Sequence, residues 1–104
     1  MEDEAIIAEA TDPDGRRLVL ADAVWRDKIV RDHPEIDTHL SDVLQAVTKP
    51  DHVAADPNFA GRTRYYLQGV GPSRWLLVVV SYEQVPARIV SAFANRKDPR
   101  SWSA

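Results

Sequence analysis

The chain has 104 residues, 28% of them charged, a net charge of −3 and no cysteine. That length suits one domain with one core, and the missing cysteine excludes a disulfide framework and a thiolate metal site. No apolar run approaches the roughly 20 residues of a membrane span, and the acidic start MEDEAIIAEA lacks the basic region of a signal peptide.

A single domain over 1–104, in a reducing cytoplasm and away from membranes, is therefore the expectation. Residues 1–10 read as a weakly structured acidic arm or a first strand. Asp12-Pro13-Asp14-Gly15 predicts a turn, because Pro suits its second position and Gly accepts a positive φ. Asp14 and Gly15 echo a calcium loop, but the remaining ligands are absent. Residues 16–20 then read as a second short strand.

Asp22 suits the N-cap of a helix over 23–31, with Val24, Trp25, Ile29 and Val30 as its apolar stripe. Asp32, His33 and Pro34 interrupt it, since a residue before proline resists the α region. Pro34 fits the first turn of the next helix. There Ile36, Leu40, Val43, Leu44 and Val47 recur with a clear helical period, and Lys49-Pro50 ends it.

Residues 52–55 suit a short strand and 62–68 a longer one, with Gly69, Gly71 and Pro72 making the following turn. Residues 74–82 are β-branched, aromatic and apolar on both faces, so they predict a central strand. Residues 87–94 alternate as an outer or penultimate strand. Residues 95–104 form a basic, polar tail with Trp102 as its anchor. The order β-β-α-α-β-β-β-β predicts an α+β domain, two helices packed on a mostly antiparallel sheet.

Charge divides unevenly. Through Ala60 there are six Lys/Arg against fourteen Asp/Glu; from Gly61 on there are seven against two. A basic half can mark an anionic partner such as a phosphate backbone. The other reading is that the halves intermix in space and neutralise each other.

The chemistry-bearing residues narrow the classes. His33, His39 and His52 match no zinc spacing, and Glu35 with His39 reads as a surface ion pair. There is no catalytic cysteine, no GxSxG elbow and no glycine-rich phosphate loop. A third class is metal-free acid–base cleavage of RNA. It needs a base for the 2′-hydroxyl, an acid for the leaving 5′-oxygen and cations for the developing charge. His33 and Glu35 lie at the helix corner. Period 2 puts Arg62, Arg64 and Tyr66 on one face of their strand and Thr63, Tyr65 and Leu67 on the other, core, face. Arg88 and Ser91 share a later strand. Each also has a structural reading: His33 as a helix cap, Arg and Tyr as cross-strand partners, Ser91 as a core hydroxyl, Trp25 and Trp75 as core.

The order of "DGRRLVL", "WRDKIVRDHPEI", "AVTKPDHV", "RTRYYL", "WLLVVV" and "RIVSAFANR" resembles the barnase–EndoU–colicin–RelE-like (BECR) nucleases, in their small phage-associated and toxin branches. The likeness covers about residues 14–96 and rests on the order of short motifs. It implies two helices on an antiparallel sheet and metal-independent cleavage of tRNA or mRNA, without a cofactor. It also implies a cognate antitoxin or immunity protein. By that likeness His33 is the acid–base residue, Glu35 its orienter and Arg64 the phosphate clamp, with Tyr65 or Tyr66 and Ser91 supporting. Lys28, Arg62, Tyr65, Arg88 and Arg96 would hold RNA. The chain departs from the pattern at Lys28, where many relatives carry a second histidine, and at Phe93, where tyrosine is common. A non-catalytic RNA- or protein-binding module on the same fold is the alternative.

Overall fold

A computed structural model of the chain describes residues 4–70 and 73–102. Six strands form one sheet: β1 (Ile6–Thr11), β2 (Arg17–Ala21), β3 (His52–Ala55), β4 (Arg62–Gln68), β5 (Trp75–Ser81) and β6 (Ala87–Asn95). Their spatial order is β1-β2-β6-β5-β4-β3. All neighbours run antiparallel except β2 and β6, which are parallel. The expected α+β class holds.

One face of the sheet is covered by the helical segment between β2 and β3. Leu18, Leu20, Leu67, Leu76, Val78, Val80 and Ile89 alternate onto that face and meet Trp25, Ile29, Ile36, Val43 and Val47. The opposite face carries a smaller apolar cluster of Tyr66, Trp75, Leu77 and Val79. β5 feeds both clusters, so all seven of its residues are buried. An unbroken apolar run is what such a strand requires.

The helical segment departs from the expected pair of regular helices. α1 (Asp22–Val24) passes directly into a π-helical stretch, Trp25–Val30. Val24/Ile29 and Trp25/Val30 are each five apart, and the wider π turn brings such pairs toward one face. Asp22 does not cap the helix; Ala21 holds that position, and the Asp22 carboxylate binds Arg26 instead. Pro34–Ile36 is a 3₁₀ turn, and α2 (Leu40–Thr48) starts only after it.

β6 lies third in the sheet, not at its outside or next to it. Ala87 and Ile89 pack into the helix-side core, which draws the strand between β2 and β5. Yet β2 pairs only at Leu18–Ala87 and Val19–Arg88. The rest of β6 keeps an open edge on that side, and the helix corner packs there. Gly15 takes the positive φ expected of it, and Gly69 also has a positive φ in its turn; Gly71, Pro72 and the Trp102 side chain lie outside the described residues.

Gly61 has φ +80°, and a Cβ there would sit 2.8 Å from the Cγ of Glu83. The Glu83 side chain can swing away, so the backbone sets the cost. Gly61→Ala should lose about 1 kcal/mol, a fall of roughly 4–8 °C in thermal midpoint. An unchanged midpoint in a circular dichroism melt would refute this.

Candidate functional site

The corner between the π-helical stretch and Pro34 sets His33. Proline excludes the preceding residue from the α region, and His33 accordingly has φ −135° and ψ 71°. Its ring leaves the helix line and stacks on Phe93 of β6, with centroids 5.2 Å apart and planes at 29°. Glu35 Oε2 lies 3.8 Å from His33 Nδ1, and both side chains are about one-third exposed. His33 stands at the N-cap position, but its side chain makes no capping hydrogen bond. Glu35 does not pair with His39 as expected, because the chain turns again before α2. His39 Nδ1 instead meets Asp42 Oδ2 at 2.9 Å.

Cross-strand register gathers the remaining candidates. Arg64 pairs with Val79, and Val79 with Ser91. The three form one row on the face opposite the helices, with Arg64 and Ser91 about 10 Å apart across two strand spacings. Tyr66, Leu77 and Phe93 form the next row on that face. His33, stacked on Phe93, stands at the edge of this surface with Ser91 near it along β6.

The deeper members of the surface are enclosed. Tyr66 is fully buried, its ring centroid 6.4 Å from that of Trp75 in an edge-on arrangement and 5.6 Å from that of His52. Arg64 is 20% exposed, and its Nε lies 3.3 Å from Oδ2 of Asp56. Burial works against the Arg64 charge, but the Tyr66 hydroxyl and the Asp56 carboxylate outweigh it and raise its pKa. Arg64 and Tyr66 thus form the floor of the surface.

The other RNA-binding candidates do not all share one surface. Arg62 and Arg88 share the Arg64 face by register. The guanidinium of Arg62 lies over the Phe59 ring at 4.4 Å, and Arg88 is paired with Glu4. Lys28 is exposed on the π-helical stretch, and Arg96 is exposed beyond the end of β6. Tyr65 is buried on the helix-covered face. The acidic and basic halves therefore meet: Asp56 and Glu4 from the first neutralise Arg64 and Arg88 from the second.

Sequence reasoning missed a second polar centre. Asp12, with a side chain wholly shielded from solvent, accepts four hydrogen bonds from two hairpin amides, Arg16 Nε and the Tyr82 hydroxyl. The Tyr65 hydroxyl continues the chain, 2.5 Å from that of Tyr82. Since Tyr82 donates to Asp12, Tyr65 donates to Tyr82. Burial, then the Tyr65 hydroxyl and Asp12, raise the Tyr82 pKa well above its usual range. The Asp-Pro-Asp-Gly run signalled only the turn; Tyr82 lies far along the chain.

Among the described residues no group of three or more His, Asp or Glu side chains is placed to hold a metal ion, and no helix is long and apolar enough to cross a membrane. No family model, no curated protein and no solved structure matches this chain.

Proposed function

We propose that this chain is a metal-independent endoribonuclease of the toxin type, working at the His33 corner. The observation that carries the reading is the pairing of a partly exposed imidazole with a carboxylate, His33 Nδ1 to Glu35 Oε2 at 3.8 Å, while the Phe93 ring fixes the imidazole plane. His33 takes the proton of an RNA 2′-hydroxyl. The 2′-oxygen then bonds to phosphorus as the P–O5′ bond breaks, and the leaving 5′-oxygen takes a proton from water, which gives a 2′,3′-cyclic phosphate and a 5′-hydroxyl. Glu35 steadies the imidazolium. Ser91 offers a hydroxyl beside the site, and Arg64 with Tyr66 supports the surface from beneath. The partners that follow are a tRNA or mRNA substrate and, in the cytoplasm, a cognate antitoxin or immunity protein.

The ion pairs of Arg64 with Asp56 and of Arg88 with Glu4 favour a second reading. With these charges taken up inside the chain, the same surface suits a non-catalytic binding module. One assay separates the two. Purified protein in excess EDTA should cut single-stranded RNA, leave cyclic phosphate ends and spare the same sequence as DNA, which has no 2′-hydroxyl. RNA left intact would remove the nuclease reading and leave the module.

A further inference from the structure

A cavity of about 360 Å³ opens at the end of the sheet that holds the β1–β2 turn, lined by Arg16, Arg17, Tyr82, Gln84, Val85, Pro86 and Ala87. That volume lies within the roughly 300–1,000 Å³ of small-molecule sites. We propose that it is a nucleotide subsite, which binds one base and its phosphodiester in a single-stranded RNA. This inference rests on the endoribonuclease reading.

The two arginines are held in place before any ligand arrives. Arg16 gives its Nε to Asp12 Oδ2 and Arg17 gives its Nε to Glu9 Oε1, each at 2.8 Å. A guanidinium anchored through Nε still has its terminal nitrogens to offer. Those of Arg17 have no hydrogen-bond partner among the described residues, and Arg16 uses one on Asp14 at 3.4 Å. Anchored donors lose little freedom when they take up an oxyanion.

The remaining walls suit a base. Val85 and Pro86 supply an apolar surface, and Val85 is 98% exposed with no protein partner to cover it. The Tyr82 ring is fixed from behind by the Arg16 guanidinium, 3.9 Å from its centroid. The Gln84 amide is held by the Ser81 carbonyl at 2.8 Å. Glu9, Asp12 and Asp14 stand close by, so the pocket has no large positive excess. It suits the single charge of a diester better than a terminal phosphate, which carries about two.

The position fits an extended strand. Ala87 opens β6 at the cavity, and Phe93, under His33, stands about 20 Å along the same strand. A few nucleotides of single-stranded RNA span that distance. The subsite would set which stretch of RNA reaches His33 and would leave the proton transfers untouched.

The test uses an uncleavable 2′-O-methyl RNA hexanucleotide titrated into ¹⁵N-labelled protein in EDTA. The amides of Arg17, Gln84, Val85 and Ala87 should shift. Arg17→Ala removes a charge-assisted contact and should weaken binding roughly tenfold, with Arg17→Lys recovering part of it. Val85→Glu places a negative charge at the mouth and should weaken binding as well. Both side chains are well exposed, so both variants should keep the wild-type thermal midpoint, which is measured alongside. If both bind like the wild type, or the shifts avoid the cavity, the subsite is overturned. Cleavage of ordinary RNA by the wild type then decides the nuclease reading separately: cutting without cavity binding sinks the subsite alone, and cavity binding without cutting sinks the nuclease alone.

Discussion

His33→Ala is expected to lower the rate of metal-free RNA cleavage by roughly 10²-fold or more, with only a modest fall in stability. The ring is partly exposed and makes no capping bond, so its removal costs one aromatic contact with Phe93. An aromatic contact of this kind is worth about 0.5–1.5 kcal/mol, so only a modest fall in stability is expected. A capping role forecasts a stability loss of similar size, ~1 kcal/mol, but with the rate per folded molecule intact. Cleavage kinetics and a urea melt on the same preparation separate the two. Glu35→Gln should produce a smaller rate loss, because the carboxylate touches the imidazole at long range and not the substrate. Should His33→Ala cut RNA as fast as the wild type, the acid–base assignment fails whatever happens at Glu35.

Asp12→Ala should be among the most damaging changes in the molecule, although it lies in a surface turn by sequence. The carboxylate accepts two hairpin amides, Arg16 Nε and the Tyr82 hydroxyl in a site shielded from water. Hydrogen bonds to a charged group contribute about 1.5–3 kcal/mol each in such settings and are not additive, so a net loss of roughly 3 kcal/mol is expected. That corresponds to about 15 °C in thermal midpoint for a domain of this size. A loss below about 1 kcal/mol would mean that the turn forms without its carboxylate.

The same group sets a pH dependence. Burial alone would raise the Asp12 pKa, but the Tyr82 hydroxyl and the Arg16 amide and guanidinium outweigh it and hold it below the usual carboxylate value. Asp56 is likewise lowered by the Asn58 and Phe59 amides and Arg64 against the cost of burial. A depressed folded pKa gives stability that is present above the unfolded value of about 3.9 and is lost as pH falls through the folded one. Acid unfolding should therefore begin below about pH 4. Tyr65 and Tyr82 are raised, chiefly by burial. Their contribution is present below the unfolded tyrosine value and declines as pH rises beyond about 10. Asp12→Ala should blunt the acid limb of a pH–stability curve.

What the amino-acid order by itself determined is what local forces decide. The Trp75–Ser81 run is apolar on both faces, and no other element buries such a segment so completely. Ile36, Leu40, Val43, Leu44 and Val47 recur with a helical period, although Ile36 belongs to the 3₁₀ turn and α2 starts at Leu40. Period 2 alone separated Arg64 and Tyr66 from Tyr65 and Leu67, and the two clusters divide on that line. Pro34 fixed the corner that turns His33 out of the helix, because its ring clashes with a helical predecessor. Tertiary structure decided the rest, through contacts between residues far apart in the chain. β6 became an inner strand because β2 pairs with its first residues in parallel, a crossover that no local pattern encodes. Arg88 meets Glu4 and Tyr82 meets Asp12 across 84 and 70 residues, and Arg64 meets Asp56 across the β3–β4 connection. A side chain's charge is written in its residue type, but its availability depends on which opposite charge the fold brings within hydrogen-bonding reach. That is why two cations of the basic half, Arg64 and Arg88, are taken up by Asp56 and Glu4 of the acidic half, while Arg74, Arg96 and Lys97 stay exposed.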